Sequence, residues 1–298
     1  MEITSMMSGP RVADLSGSGS VAFGPPVRLR RFTPEKVVCN IVLAIIGIMF
    51  VLPLAWLVEA SIDRLATRQI QIPVFSLVNF ILATDPTRLL ALLNSVIISA
   101  IAAFVATLPS ALAAYAFSRH HIPGKYAIVL FILFLSGVPI NILIVPVYQM
   151  FSTLDMLSLV PTAVFLGVTA IPFELYIIKN AIDAIPLDLE EAAQIERANT
   201  LRILWRVVLP LALPGIVAAA IYGVVNTWGN FLVPLVLISA PEQQPSPLTI
   251  FGFMSADITR YGAIAAYSLI YSAPVVALYL VLSRFFRAGF VLGGAIRG

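Results

Sequence analysis

Long apolar stretches recur along the chain, separated by shorter polar ones. They cover residues 37–58, 92–117, 126–148, 157–178, 209–228 and 262–286. Each is close to the ~20 residues an α-helix needs to cross the hydrocarbon of a bilayer. Backbone groups in lipid must be hydrogen-bonded within the spanning structure, so uninterrupted runs of this length predict helices. A membrane β-barrel would instead show alternating segments of about 10 residues, and the sequence has none. Pro109, Pro139, Pro146, Pro172, Pro214 and Pro274 fall inside the runs. Membrane helices accommodate such prolines as kinks, because neighbouring helices satisfy the freed backbone groups. The pattern predicts an all-α, polytopic membrane protein with six transmembrane helices.

Composition removes the competing classes. Of 298 residues, 60% are hydrophobic and 11% charged, against about 25% charged in a soluble domain. A soluble enzyme or a nucleic-acid binder needs a charged surface that this chain cannot supply. The net charge of +3 is small, and the placement of the cations is more informative than their sum. With the N-terminus inside, 14 of the 18 Lys and Arg lie on the cytoplasmic side, among them Arg28, Arg30, Arg31, Lys179, Arg202, Arg206, Arg284 and Arg287. The positive-inside rule therefore predicts a multi-pass protein of a bacterial-type cytoplasmic membrane with both termini cytoplasmic. Residues 1–36 precede the first run; the first 26 are polar and rich in Gly and Ser without an apolar core. They predict a disordered cytoplasmic tail rather than a signal peptide. Residues 37–298 then form one transmembrane domain. The single cysteine, Cys39, lies in an apolar run and allows no internal disulfide.

One cytoplasmic segment is too structured to be a connector. Residues 179–208 read KNAIDAIPLDLEEAAQIERANTLRILWRVV. Pro186 suits a first helical turn. Asp188, Glu190 and Glu191 place negative charge where the helix dipole favours it. Leu189, Ala192, Ala193 and Glu196 share a face by three-four spacing. Asn199 or Thr200 can cap a second helix, in which Leu201, Leu204, Trp205 and Val208 make an apolar stripe. Two short amphipathic helices joined by a bend suggest either docking to a soluble partner or rest on lipid headgroups.

This segment resembles the EAA loop of binding-protein-dependent ABC import permeases. The family pattern is Glu-Ala-Ala, three residues, Gly, nine residues, an aliphatic residue, one residue and Leu-Pro. Here it is met by Glu191, Ala192 and Ala193, then Glu196, Arg197, Val207, Leu209 and Pro210, with Arg197 in place of the glycine. The glycine position implies a bend with positive φ, which costs another residue about 1 kcal/mol or more. Asn94, Ser95, Ala114, Tyr115, Arg119, Pro123, Gly124 and Lys125 resemble the second span of maltose-type sugar permeases. Trp228, Asn230, Phe231, Leu232, Pro234 and Leu235 are similar to their Trp-Asn-Asp-Phe-Leu region, with Gly229 for the usual Asn. Gly293, Gly294 and Arg297 resemble their C-terminal tail.

The resemblance implies a permease subunit of a carbohydrate ABC importer. It implies that Glu190, Glu191, Ala192, Ala193, Glu196, Arg197, Leu209 and Pro210 belong to a coupling helix gripped by an ATP-hydrolysing subunit. The tail would reach the same partner. The implied partners are a second permease subunit, two ATPase subunits and an extracytoplasmic substrate-binding protein. The chain has no phosphate-cradling Gly-rich loop and no cluster at metal-ligand spacing, so ATP and Mg²⁺ are expected on the partners and no cofactor or metal on this chain. Polar residues in the spans are candidates for a substrate path: Asn141, Glu174, Asn226, Trp228 and Asn230. Glu174 can accept a substrate hydroxyl or pair with a neighbouring helix, since a charge in hydrocarbon must face protein or water. The asparagines can serve a sugar or link helices. Import of polyamine or glycerol phosphate would want further intramembrane carboxylates or cations in the path, which are absent from the spans; a secondary transporter would leave the coupling loop without a purpose.

Overall fold

The computed structural model describes residues 34–69, 71–254 and 260–295. Among the described residues, five helices are long and apolar enough to cross a membrane. They are α1 (Pro34–Ile62), α3 (Pro86–Arg119), α6 (Leu159–Asp183), α9 (Leu209–Trp228) and α12 (Tyr261–Ala295). Shorter helices fill the connections: α2 (Val78–Ala83), α4 (Lys125–Leu135), α5 (Ile144–Thr153), α7 (Asp188–Ile195), α8 (Thr200–Ile203), α10 (Leu232–Leu237) and α11 (Ser246–Phe251). No strand occurs among the described residues, only an isolated bridge between Asp63 and Phe75. The predicted tail, residues 1–36, lies outside the described residues up to position 33, and α1 already begins at Pro34. The first unit of the chain ends at Val51; its described apolar residues are exposed, as in a helix that faces lipid.

The third apolar run is where the expectation of one helix fails. α4 and the segment Ile140–Thr153 are bent by 78° from each other. Between them lie Ser136, Gly137, Val138 and Pro139. Proline has no N–H to give the preceding turn, and it pushes Val138 out of the helical region. Counted as one broken span, the pair brings the total to six. Pro53, Pro109, Pro172, Pro214 and Pro274 by contrast sit inside continuous helices.

α3, α6 and α9 pack into the central bundle of the second unit, residues 52–298. Lipid gives no hydrophobic drive for helix association, so close backbone approach through small residues supplies the attraction. Ala102, Ala106, Ser110 and Ala114 form such a stripe at every fourth position of α3, all buried. A Cβ on Gly167 of α6 would lie 2.6 Å from the Ala102 carbonyl oxygen, and one on Gly215 of α9 would lie 2.2 Å from Ala181 Cβ. At one end of the bundle Ile98, Ala102, Leu159, Leu166, Val233 and Leu237 form an apolar cluster. At the other end Ala111, Tyr115, Ile178, Ile182, Leu204 and Val208 form a second. With 34 residues, α3 is about 51 Å long, well beyond ~30 Å of hydrocarbon. Its two ends therefore reach the polar layers on both sides.

Candidate functional site

The loop after α6 is built around a buried ion pair. α7 carries Asp188, Glu190 and Glu191 in its first turn. Glu190 turns inward and is 4% exposed. Its Oε1 accepts from Arg119 Nε at 2.5 Å, and Tyr115 Oη lies 3.4 Å from Oε2. The same guanidinium donates through NH2 to the carbonyls of Ile182 and Ile185, each at 3.0 Å. Ile182 lies in the last turn of α6 and Ile185 just past its end, where carbonyls lack helical partners. Beside it, Ser118 Oγ donates to Asp183 Oδ1 at 2.5 Å and Lys179 Nζ donates to Oδ2 at 2.6 Å. Arg119 thus binds the ends of α3 and α6 and the start of α7 to one another.

The other face of α7 is open. Glu191, Ala192, Gln194 and Glu196 are exposed, together with Leu187, Leu189 and Ile195, the last 85% exposed. Ala193 is half-buried against the apolar cluster below. Glu190 is therefore an internal anchor, on the opposite side from the surface that the other acidic residues offer. Among the residues of the sequence motif the structure separates two groups: Glu190 and Ala193 hold α7 down, and Glu191, Ala192 and Glu196 face outward.

α7 ends in a left-handed turn. Arg197 has φ +60°, the conformation that the motif glycine would take without strain. Arg197 N–H donates to the Gln194 carbonyl at 2.9 Å and Ala198 N–H to the Ala193 carbonyl at 3.1 Å. These are the two bonds of a Schellman cap, so the bend keeps its shape and the arginine bears the strain. Asn199 then caps α8, its Oδ1 accepting from Arg202 N–H at 2.9 Å.

The predicted second cytoplasmic helix is not separate. α8 runs through one wide π turn, Leu204–Val208, straight into α9, giving a single rod over Thr200–Trp228. Pro210, in the first turn of α9, cannot give an N–H to Arg206. The rotation splits the apolar stripe. Leu204 and Val208 join the core, whereas Leu201 and Trp205 stay more than half exposed. Leu209 and Pro210 are not on the outward face of α7 either. They line a lateral groove of about 460 Å³ with Phe104, Leu108, Trp205 and Leu213. Gly293 and Gly294 close α12, and Arg297 lies outside the described residues.

The five substrate-path candidates do not converge. Glu174 is fully buried where α3, α6 and α9 cross. Thr107 Oγ1 donates to its Oε2 at 2.7 Å, and its Oε1 fills the space that a Cβ on Gly223 would enter. That geometry locks helices together. Asn141 is exposed on a short 3₁₀ turn, Ile140–Leu143. Asn226 is exposed on α9. Asn230, just ahead of α10, has its Oδ1 accepting from Val233 N–H in the first turn at 3.1 Å. Trp228 is buried, stacked on Tyr271 at 5.2 Å, and alone of the five lines a cavity of about 200 Å³ between α3, α9 and α12. Asn94 and Ser95, matched in sequence, tie the segment leading into α11 to α3 instead. Asn94 Nδ2 donates to the Glu242 carbonyl at 2.8 Å, and Ser95 Oγ accepts from Ser246 N–H at 2.8 Å.

Comparison with known proteins gives one consistent answer. The chain is 24% identical over 87% of its length to the diacetylchitobiose uptake permease DasC of Streptomyces coelicolor, covering 96% of that protein. It is 31% identical over 61% of its length to the galactooligosaccharide permease GanQ of Bacillus subtilis, covering 65% of it. Its fold is similar to that of a bacterial ABC transporter involved in alginate import, with a TM-score of 0.72 and 19% identity over 85% of this chain and 96% of the other. Residues 107–288 match the profile described as the binding-protein-dependent transport system inner membrane component, and the chain belongs to that family.

Proposed function

We propose that the chain is one of two permease subunits of an ATP-driven sugar importer, with α7 as the element that an ATPase subunit grips. One observation carries the coupling role. α7 exposes Glu191, Ala192, Leu189 and Ile195 on one side, while Glu190 on the other side is clamped to Arg119. A helix open to a partner on one face and welded to the bundle on the other transmits displacement. The transported class is taken from the relatives named for oligosaccharide uptake. In this reading both termini are cytoplasmic, ATP and Mg²⁺ reside on two ATPase subunits, and a binding protein delivers substrate from outside. Closure of the ATPase dimer moves α7. The Arg119 clamp carries that motion to α3 and α6, and the continuous α8–α9 rod carries it to the third core helix. The Gly293-to-Arg297 tail is a second contact with the ATPase.

Co-purification tests this. Glu191→Lys reverses a charge on the outward face without touching the anchor, and it should release the ATPase and abolish uptake while the chain stays folded. Retention of ATPase and uptake at wild-type levels would remove α7 from the coupling role.

A further inference from the structure

A second groove lies between α4 and the last two turns of α6, with a volume of about 320 Å³. It is polar at one end and apolar at the other. Tyr126, Lys179, Asn180 and Asp183 line the end nearest α7, and Leu130 and Leu133, with the Tyr176 ring across from them on α6, line the deeper end. Leu133 is eight residues into α4 from Lys125, about 12 Å along the helix axis. α4 keeps one residue, Val129, buried; Leu130 is 67% exposed. In a bilayer this surface stands at the boundary between headgroups and acyl chains.

Lys179 shows what the polar end is short of. The residue is 9% exposed, yet among the described residues its one acceptor is Asp183 Oδ2 at 2.6 Å. An ammonium has three N–H donors, so two remain at the groove. Asp183 gives Lys179 one oxygen only, its other oxygen accepting from Ser118. Next to the lining residue Tyr126, Lys125 holds its Nζ 5.7 Å from that ring's centroid, a second cation adjoining the groove. Two ammonium groups against one carboxylate leave the mouth net positive, and buried donors without acceptors are costly. An anion with several oxygens satisfies both conditions. An anion alone would leave Leu130 and Leu133 uncovered.

We propose that this groove holds a phospholipid of the leaflet on the α7 side, with its phosphate on Lys179 and Lys125 and one acyl chain along Leu130 and Leu133. Basic pockets between membrane helices are suited to such headgroups. That this leaflet is the cytoplasmic one rests on the orientation given above; the site itself does not.

The full-length chain, purified from membranes in a mild detergent, is titrated with dioleoylphosphatidylglycerol and read by native mass spectrometry. Wild type should retain one lipid per chain. Lys179→Gln should weaken retention on the order of tenfold. Leu130→Trp, a change at an exposed position that fills the groove without disturbing the core, should weaken it as well. Arg206→Gln, an exposed cation elsewhere at the same end, should have no effect. Dioleoylglycerol, which lacks the phosphate, should not compete, and inorganic phosphate should compete only weakly. Equal retention by wild type and both groove variants overturns the proposal. So does full competition by dioleoylglycerol, which marks a merely apolar cleft, or by inorganic phosphate, which marks a free-anion site. Loss of the lipid whenever a second permease subunit co-purifies would show that protein covers the groove instead. The readout needs neither ATP nor substrate, so a negative result leaves the transport reading standing.

Discussion

The division of α7 into an anchored and an open face makes neighbouring glutamates behave differently. Glu190→Ala removes the carboxylate from a pair whose side chains are 10% and 5% exposed. Truncating one member of a buried pair leaves the other charge without compensation, at about 3–5 kcal/mol. Arg119 keeps two carbonyl acceptors at 3.0 Å, which places the cost near the lower bound. About 3 kcal/mol corresponds to a shift of roughly 150-fold in the equilibrium between docked and undocked α7. Glu191→Ala, on the exposed face, should stay within about 0.5 kcal/mol. Hydrogen exchange of the α7 amides measures this directly, because Glu190 and Glu191 N–H both close the helix onto the Leu187 carbonyl. Exchange across α7 should accelerate by about two orders of magnitude in Glu190→Ala and remain unchanged in Glu191→Ala. A double-mutant cycle with Arg119→Met isolates the pair, since residues in one network are coupled by roughly 0.5–3 kcal/mol. Equal exchange in the two alanine variants, or strict additivity in the cycle, would refute the anchor.

Three further outcomes follow from the geometry. Arg197→Gly should relieve the left-handed strain, worth about 1–2 kcal/mol, less the ~0.4–1 kcal/mol that glycine's freer unfolded chain costs; the Arg197 and Ala198 amides should then exchange several-fold more slowly. Gly223→Ala drives a Cβ into Glu174 Oε1, and Gly167→Ala drives one to within 2.6 Å of the Ala102 carbonyl oxygen, so each should destabilise the bundle by about 1–3 kcal/mol and lower its melting temperature in detergent; a Glu174→Gln change should not rescue Gly167→Ala. The Asp63 carboxylate is held below the usual range first by Gln71 Nε2, which donates to it at 2.6 Å, with the Leu65 and Val74 amides assisting against burial. A depressed folded pKa means stability that is present above the ordinary carboxylate pKa and lost as pH falls through the folded value. The turn over residues 63–75 should therefore resist protease down to about pH 4 and open below it, and Asp63→Asn should be labile at every pH.

The sequence made the spans legible because lipid imposes one rule on every residue of a span, and apolar length reads that rule without knowledge of neighbours. It failed at residues 136–139, where Gly137 and Pro139 turned a uniformly apolar run through 78°; hydropathy carries no backbone geometry. The small-residue stripe of Ala102, Ala106, Ser110 and Ala114 was present in the sequence at four-residue spacing and is the signal that would have placed α3 in the core. The bend at Arg197 was readable from motif spacing, and the structure keeps it with a non-glycine residue. What spacing alone did not reveal is which glutamate faces inward. Glu190 and Glu191 are chemically identical, and the choice is made by Arg119, 71 positions away along the chain.

That dependence has a mechanical consequence. A helix held by one flexible loop would absorb a push from a partner by bending at its joints. Here α7 is fixed at its start by the Arg119 clamp and at its end by a Schellman cap whose Ala198 packs on the core, and the next residues enter a rod that continues into α9. The same guanidinium that grips Glu190 also holds the carbonyls of Ile182, in the last turn of α6, and Ile185, just past it. In the proposed reading, a displacement of α7 would strain this buried charge pair and be carried to α3 and α6 through Arg119 and to α9 through the continuous rod. The three core helices meet again at Glu174, Thr107 and Gly223, deep in the bundle, so in that reading a push on α7 would reach helices that are also joined to one another within the membrane.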